Sequence, residues 1–313
     1  MSRKELRQIH LETLLELAQQ HSDIMVLEAD LMSCLSTYKF AQQYPERFLQ
    51  CGIAEANMIG VAAGLSAVGK VPYVHSFGCF VTRRCFDQLF ISGGYAKQHI
   101  NIFGSDAGVT AVTNGGTHMP FEDIGLMRLI PNSTVIDASD ENVLRAALKF
   151  AYGHKGINYI RATRKATPKI YLSDDQIKIG KVNILKDGND ITFFACGICV
   201  YDALEAAKII EAKLGISIAV IDVHTIKPLD IEVVTKYAQK TKVIFTIENH
   251  NITGGLGDSI AVALLEAGVI VNQFYRFGIR EQFGQVGSLE YLKEVYQIST
   301  NQIVHQCMKF LAG

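Results

Sequence analysis

The chain has 313 residues, 49% of them hydrophobic, which is enough for a sizeable core and for two domains. Its 30 Lys and Arg balance 31 Asp and Glu, so bulk charge gives no hold on nucleic acid or a membrane surface. The opening Met-Ser-Arg-Lys-Glu-Leu-Arg lacks the apolar core of a secretory signal, and the longest apolar runs are too short to span a bilayer. Seven cysteines in so long a chain suit a reducing cytosol better than a disulfide framework, so a cytoplasmic location is expected.

The pattern predicts helices over residues 6–20, 55–68, 84–96 and 141–152, alternating with short apolar strands at 24–27, 71–74, 100–103, 134–136 and 157–160. Strand-helix alternation of this kind implies an α/β domain with a mainly parallel sheet, here over residues 1–170. A polar stretch follows from Thr163 to about Asp190. With Pro168 and the turn signal Lys186-Asp-Gly-Asn-Asp190, it reads as a linker and an edge hairpin over 171–190. A second α/β pattern occupies 191–313, with strands at 191–195, 216–221 and 242–247 and helices at 201–214 and 256–267.

Glu55 stands out in Cys51-Gly-Ile-Ala-Glu-Ala-Asn-Met-Ile-Gly60, an acid among small and apolar neighbours where a buried helix begins. Such a carboxylate must be paired or hold a proton, unless it sits exposed in a first helical turn, where the helix dipole favours it. Ser76-Phe-Gly-Cys-Phe80 follows a strand and puts Phe77 and Phe80 at its carboxyl end, where open α/β sheets bind ligands. Two rings there are either core or the wall of a slot for a flat heteroaromatic ring. The loop from Ser105 to Pro120 contains Thr113-Asn-Gly-Gly-Thr-His118 and suits a substrate-lining segment, although a lone histidine is more often structural. Tyr159-Ile-Arg-Ala-Thr-Arg164 brings two arginines to a strand end, either as a phosphate site or as the start of a solvated linker. Cys196-Gly-Ile-Cys199 has the spacing of a thioredoxin-like motif, but it lies between a buried strand and a helix, where a tight turn suffices.

Taken together and in this order, these segments resemble the pyrimidine-binding domain of transketolases. Ala195-Cys-Gly-Ile-Cys199, Asp222-Val-His-Thr-Ile-Lys-Pro228 and Glu248-Asn-His-Asn-Ile-Thr-Gly-Gly-Leu-Gly257 look like that family's C-terminal domain, which implies a mixed sheet in the second half. The family's complete chains are much longer, so the resemblance is to the C-terminal half, the second subunit of a split transketolase. It implies thiamine diphosphate as cofactor, with Mg2+ or Ca2+, and transfer of a two-carbon ketol unit from a ketose phosphate to an aldose phosphate in carbohydrate metabolism. The glutamate matching Glu55 would hydrogen-bond the aminopyrimidine ring, against which Phe77 and Phe80 would pack. Asp30 matches an aspartate near the cofactor, or else caps a helix. His118 matches a histidine on the sugar hydroxyls, and Arg164 and Arg7 match phosphate-binding positions.

The departures from the family pattern fall in the same places. Asn114 stands where the family has an aspartate that reads the acceptor's C2 hydroxyl, and Ser105 stands where a histidine meets phosphate. Cys34 and Arg83 replace a serine and an aromatic residue. The diphosphate and metal motif is missing as well. Asp187-Gly188 lacks the preceding glycine of a Gly-Asp-Gly segment, and Gly254-Gly-Leu-Gly257 is a weak phosphate cradle, so no metal ligand is assigned to this chain. A companion N-terminal subunit carrying that site is therefore implied, with two copies of each chain in a heterotetramer. The alternatives are the β subunit of a 2-oxoacid dehydrogenase E1 component and a non-catalytic assembly subunit.

Overall fold

A computed structural model describes residues 4–241 and 243–312. Among the described residues, twelve strands form two sheets: β1 (Ile24–Glu28), β2 (Phe48–Gln50), β3 (Val71–Phe77), β4 (Ile100–Ser105), β5 (Thr134–Asp137), β6 (Ile157–Ala162), β7 (Asn183–Lys186), β8 (Ile191–Ala195), β9 (Ile218–Asp222), β10 (Thr225–Lys227), β11 (Val243–Asn251) and β12 (Gln273–Ile279). The first sheet has the order β10-β5-β6-β4-β3-β1-β2 and the second β12-β11-β8-β9-β7. All pairs in the first sheet are parallel except β10 with β5 at one edge. The second sheet is mixed, because its edge strand β7 runs antiparallel to β9.

The central strands of the first sheet are buried along their whole length, as a parallel sheet covered by helices on both faces requires. Helices Leu6–Gln20 and Glu141–Gly153 cover one face through Leu14, Leu144 and Leu148, packed against Ile24, Val26 and Phe103. Asp140 starts the second of these helices, its Oδ1 accepting the Asn142 and Val143 amides at 2.9 and 3.1 Å. Helix Glu55–Ala67 covers the other face with Met58, Ile59 and Ala62. That cluster continues through Tyr159 into Phe194 and Ile221 of the second sheet, so one apolar core runs through both halves.

Three expectations need correction. The segment expected to form one helix over 84–96 is a short 3-10 turn, Arg83–Cys85, a turn of α-helix and a wide π-helical stretch, Leu89–Tyr95. Its Gly93 is needed for close approach, since a Cβ there would lie 2.8 Å from Ile157. The region 171–190 is not a hairpin, because β7 and the next strand β8 are separated in the sheet by β9. Residues 225–227, from the second half of the sequence, add strand β10 to the first sheet. Lys242, the first residue of the strand expected at 242–247, lies outside the described residues, as do Met1 to Arg3. No helix among the described residues is long and apolar enough to cross a membrane.

Candidate active site

The parallel register sets out the site. Glu28 on β1 lies beside His75 on β3, His75 beside Phe103 on β4, Phe77 beside Ser105, and Ser105 beside Ala162 on β6. Asp30, Phe77, Ser105 and Arg164 therefore gather at the carboxyl ends of four adjacent strands, where an open α/β sheet presents its ligand crevice.

Glu55 opens its helix and is only 1% exposed. Its two oxygens have different partners. Ser76 Oγ donates to Oε1 at 2.8 Å, and Arg84 Nη1 donates to Oε2 at 2.7 Å. The Ser76 contact is buried, whereas the Arg84 side chain is 42% exposed, so one oxygen faces inward and the other toward an opening. The Arg84 guanidinium also lies over the Phe80 ring, 4.0 Å from its centroid. Phe77 and Phe80 meet edge to face at 6.0 Å, and His118 sits edge-on to both, at 5.4 and 5.1 Å. Three rings and a buried acid thus line one wall, which suits a flat, hydrogen-bonding heteroaromatic group. His118 is half-buried, with its Nδ1 at 2.9 Å from Thr117 Oγ1.

Arg164 borders the same wall. Its guanidinium lies 5.2 Å from the Phe77 centroid and donates to Asp106 Oδ1 at 2.9 Å. Burial raises the Asp106 carboxyl above the ordinary range, and Arg164 opposes that shift. Arg7 comes close through the backbone, its amide donating to the Arg164 carbonyl at 3.1 Å. Its side chain pairs with Glu5.

Behind the wall runs a buried polar chain that the sequence reading did not isolate. Thr37 Oγ1 donates to Glu28 Oε1 at 2.7 Å, His75 Nδ1 lies 2.7 Å from Glu28 Oε2, and His75 Nε2 lies 3.0 Å from Ser105 Oγ. Ser105 was expected to touch substrate. Instead it is fully buried and bonded to His75, so it supports the Asp106–Arg164 pair from behind. Asp30 does not cap a helix. It is exposed, in a left-handed conformation, and its amide donates to Gln50 Oε1 at 2.7 Å. Asn114 is exposed at the end of the turn Gly108–Asn114. The second half of the chain holds that turn: Asn249 Oδ1 accepts the Val109 amide at 2.9 Å, and Asn249 Nδ2 donates to the Ala107 carbonyl at 2.8 Å.

The two arginines at the end of β6 part company. Arg161 is wholly buried and donates to Asp123 Oδ2 at 2.7 Å, Asp137 Oδ2 at 2.8 Å and the Asn249 carbonyl at 3.2 Å. It joins the two halves and has no face for a ligand, whereas Arg164 borders the aromatic wall. The cysteine pair is equally enclosed: Cys196 and Cys199 are buried, unpaired thiols, and burial holds both well above the ordinary thiol range. Enclosed thiols raised in this way are poor nucleophiles, and the segment lies between strand β8 and the helix Cys199–Leu214 as a turn. The glycine-rich turn at 254–257 is filled from within. Glu248 accepts the Leu256 and Gly257 amides at 2.7 and 2.9 Å, and burial pushes its carboxyl up to about 8. The amides that a phosphate would use at this helix start are already bonded to the Glu248 carboxyl of the same chain.

Comparison with known proteins agrees with this geometry. The pyrimidine-binding domain model of transketolase matches residues 3–169, and the transketolase C-terminal domain model matches residues 180–303. The 6-deoxy-6-sulfo-D-fructose transketolase subunit SqwH of Clostridium sp. (strain MSTE9) is 44% identical over 96% of this chain and 92% of its own length. A putative transketolase C-terminal section from Methanocaldococcus jannaschii is 35% identical over 98% of this chain and 96% of its own. Among solved structures, a split gene transketolase described as an inactive beta4 tetramer superposes with a TM-score of 0.87 at 36% identity, covering 98% of both chains.

Proposed function

The chain belongs to the transketolase family, and we propose that it is the C-terminal subunit of a split transketolase, active in ketol transfer only when joined to a companion N-terminal subunit. The observation that carries this reading is Glu55, buried yet offering one carboxylate oxygen to the opening beside Phe77, Phe80 and His118. The site fits thiamine diphosphate, since a planar guanidinium already stacks on Phe80 and bonds Glu55 there. When bound, that cofactor supplies the nucleophilic carbon of the reaction.

This chain's residues do the rest. Ser76 fixes Glu55 Oε1, which leaves Oε2 as the oxygen that would hold a proton toward the aminopyrimidine. Phe77 and Phe80 would pack against that ring and exclude water from the proton. His118, edge-on to both rings, is placed to meet sugar hydroxyls, with Asn114 on the same loop. Arg164, with Arg7 beside it, takes the anionic end of the sugar. Asp30 closes the cofactor side at the end of β1.

We assign the diphosphate and its Mg2+ or Ca2+ to the companion, because the glycine-rich helix start at 254–257 is filled by Glu248. The relative described as an inactive tetramer of β chains supports the need for a second subunit, and a dimer of this chain within a heterotetramer is the arrangement proposed. The SqwH relative, named for a sulfosugar, supports a ketose with a terminal anion, phosphate or sulfonate, and favours ketol transfer over the 2-oxoacid dehydrogenase reading. Seven unpaired cysteines are in keeping with a reducing cytoplasm.

The test is reconstitution. This chain, alone and with a companion carrying Gly-Asp-Gly, is assayed for ketol transfer from xylulose 5-phosphate and from 6-deoxy-6-sulfofructose, with thiamine diphosphate and magnesium. Transfer by the pair only is expected. Full activity from this chain alone would overturn the split-subunit reading, and carbon dioxide from pyruvate without ketol transfer would favour the dehydrogenase.

A further inference from the structure

Arg84 has no role in the function derived so far, yet its position is closely defined. Its Nη1 lies 2.7 Å from Glu55 Oε2, and its guanidinium carbon lies 4.0 Å from the centroid of Phe80. A guanidinium is flat, donates hydrogen bonds in its own plane and stacks on aromatic faces. An aminopyrimidine ring bonded to Glu55 and packed on Phe80 would need the same oxygen and the same ring face. Both cannot be there at once.

We infer that Arg84 is a stand-in for the cofactor ring: it holds Glu55 and covers Phe80 while the site is empty, and it must swing out before the ring can enter. This inference rests on the functional reading above. Three features support it. Glu55 is deeply buried, where a carboxylate calls for a partner, and Arg84 supplies one to the oxygen on its open side. The Arg84 side chain is 42% exposed, so solvent already borders it on one side. Its backbone lies in the short 3-10 turn Arg83–Cys85, ahead of the π-helical stretch Leu89–Tyr95 and outside any regular helix that would fix its direction.

A site populated by two side-chain states binds its ligand more weakly by the fraction that is open. Arg84 therefore acts as a positioning residue for Glu55 and as a competitor of the cofactor. Arg84→Met removes the charge and the hydrogen bond that hold the side chain against Glu55, so nothing anchors it over Phe80.

The experiment titrates thiamine diphosphate, with magnesium, into the assembled pair by calorimetry for wild type and Arg84→Met. In parallel, thermal midpoints of the cofactor-free chain are measured for wild type, Arg84→Met, Glu55→Gln and the double variant. The variant pair is expected to bind cofactor roughly three- to tenfold more tightly, as loss of a partly exposed ion pair allows. The cofactor-free Arg84→Met chain should melt lower than wild type, and that loss should shrink when Glu55 is already glutamine. Wild-type binding with equal or weaker binding by Arg84→Met would overturn the stand-in alone. Additive effects of the two substitutions on the cofactor-free chain would also overturn it. Failure of the wild-type pair to bind thiamine diphosphate would overturn the functional reading and the stand-in with it.

Discussion

His75 Nδ1 and Glu28 Oε2 lie 2.7 Å apart between two neighbouring strands of the first sheet, both side chains almost wholly buried. Glu28 also accepts from Thr37, so one carboxylate satisfies two groups that water cannot reach. Glu28→Leu would leave both without a partner and should cost about 2–4 kcal/mol. The urea midpoint measures it. Glu28→Leu combined with His75→Leu should cost less than the sum of the single changes, because the orphaned ring is then gone.

The two arginines of β6 and its exit should separate stability from recognition. Arg161→Met leaves Asp123 and Asp137 facing each other in the core without a cation, and should cost about 3–5 kcal/mol in denaturant unfolding. Arg164→Met removes the cation from a mostly buried pair with Asp106, whose carboxyl can take up a proton in its place. It should cost less stability than Arg161→Met, about 1–3 kcal/mol, while raising KM for an anionic ketose by roughly 10- to 100-fold. A normal KM for Arg164→Met would remove the arginine from the site.

Asp222 gives a pH signature. It is buried, its Oδ2 accepts from Ser139 at 2.7 Å and Tyr171 at 2.8 Å, and burial raises its carboxyl to about 7. The folded chain holds this proton more tightly than the unfolded chain. The associated stability is therefore full below the ordinary value of 3.8 and is lost as pH climbs toward 7. Asp222→Asn cannot ionise, so its melting temperature relative to wild type should rise between pH 5 and pH 8. His224 and His250 act in the opposite sense, both lowered to about 4 by burial, and remove stability as pH falls from 6.5 toward 4. A flat difference between Asp222→Asn and wild type across the range would contradict the raised value.

Cysteine accessibility checks the reading of Cys196 and Cys199 as a turn. Cys34 and Cys51 are partly exposed, and the other five thiols are buried. Titration of the native chain with an aromatic disulfide should label Cys34 and Cys51 first, with Cys196 and Cys199 reacting only on unfolding. Fast reaction at Cys196 would restore a redox role.

Much of the architecture was legible because apolar periodicity carries it. Helix Leu6–Gln20 and strand Ile191–Ala195 match their expected bounds. The strands of the first sheet were read too short, each at the end that matters. The expected strand at 71–74 stops before His75 and Ser76, that at 100–103 before Ser105, that at 134–136 before Asp137 and that at 157–160 before Arg161, yet all these residues are buried strand positions. Polar residues normally mark the end of a buried strand. Here they are paired across the sheet, and pairing depends on neighbours far apart in sequence. The same reason hid Arg84, whose partner Glu55 is 29 residues away on another element. Short strands such as β10, held by an edge contact with β5, carry too little pattern to be read alone.

The proposed reaction depends on Glu55 Oε2 sharing a proton with the cofactor ring. Its most direct test is the rate of deuterium exchange at C2 of thiamine diphosphate in the assembled pair, read by NMR after acid quench, for wild type and Glu55→Gln. Exchange slower by a factor of ~100 or more is expected in the variant, with cofactor still bound. Exchange at the wild-type rate in Glu55→Gln would contradict it.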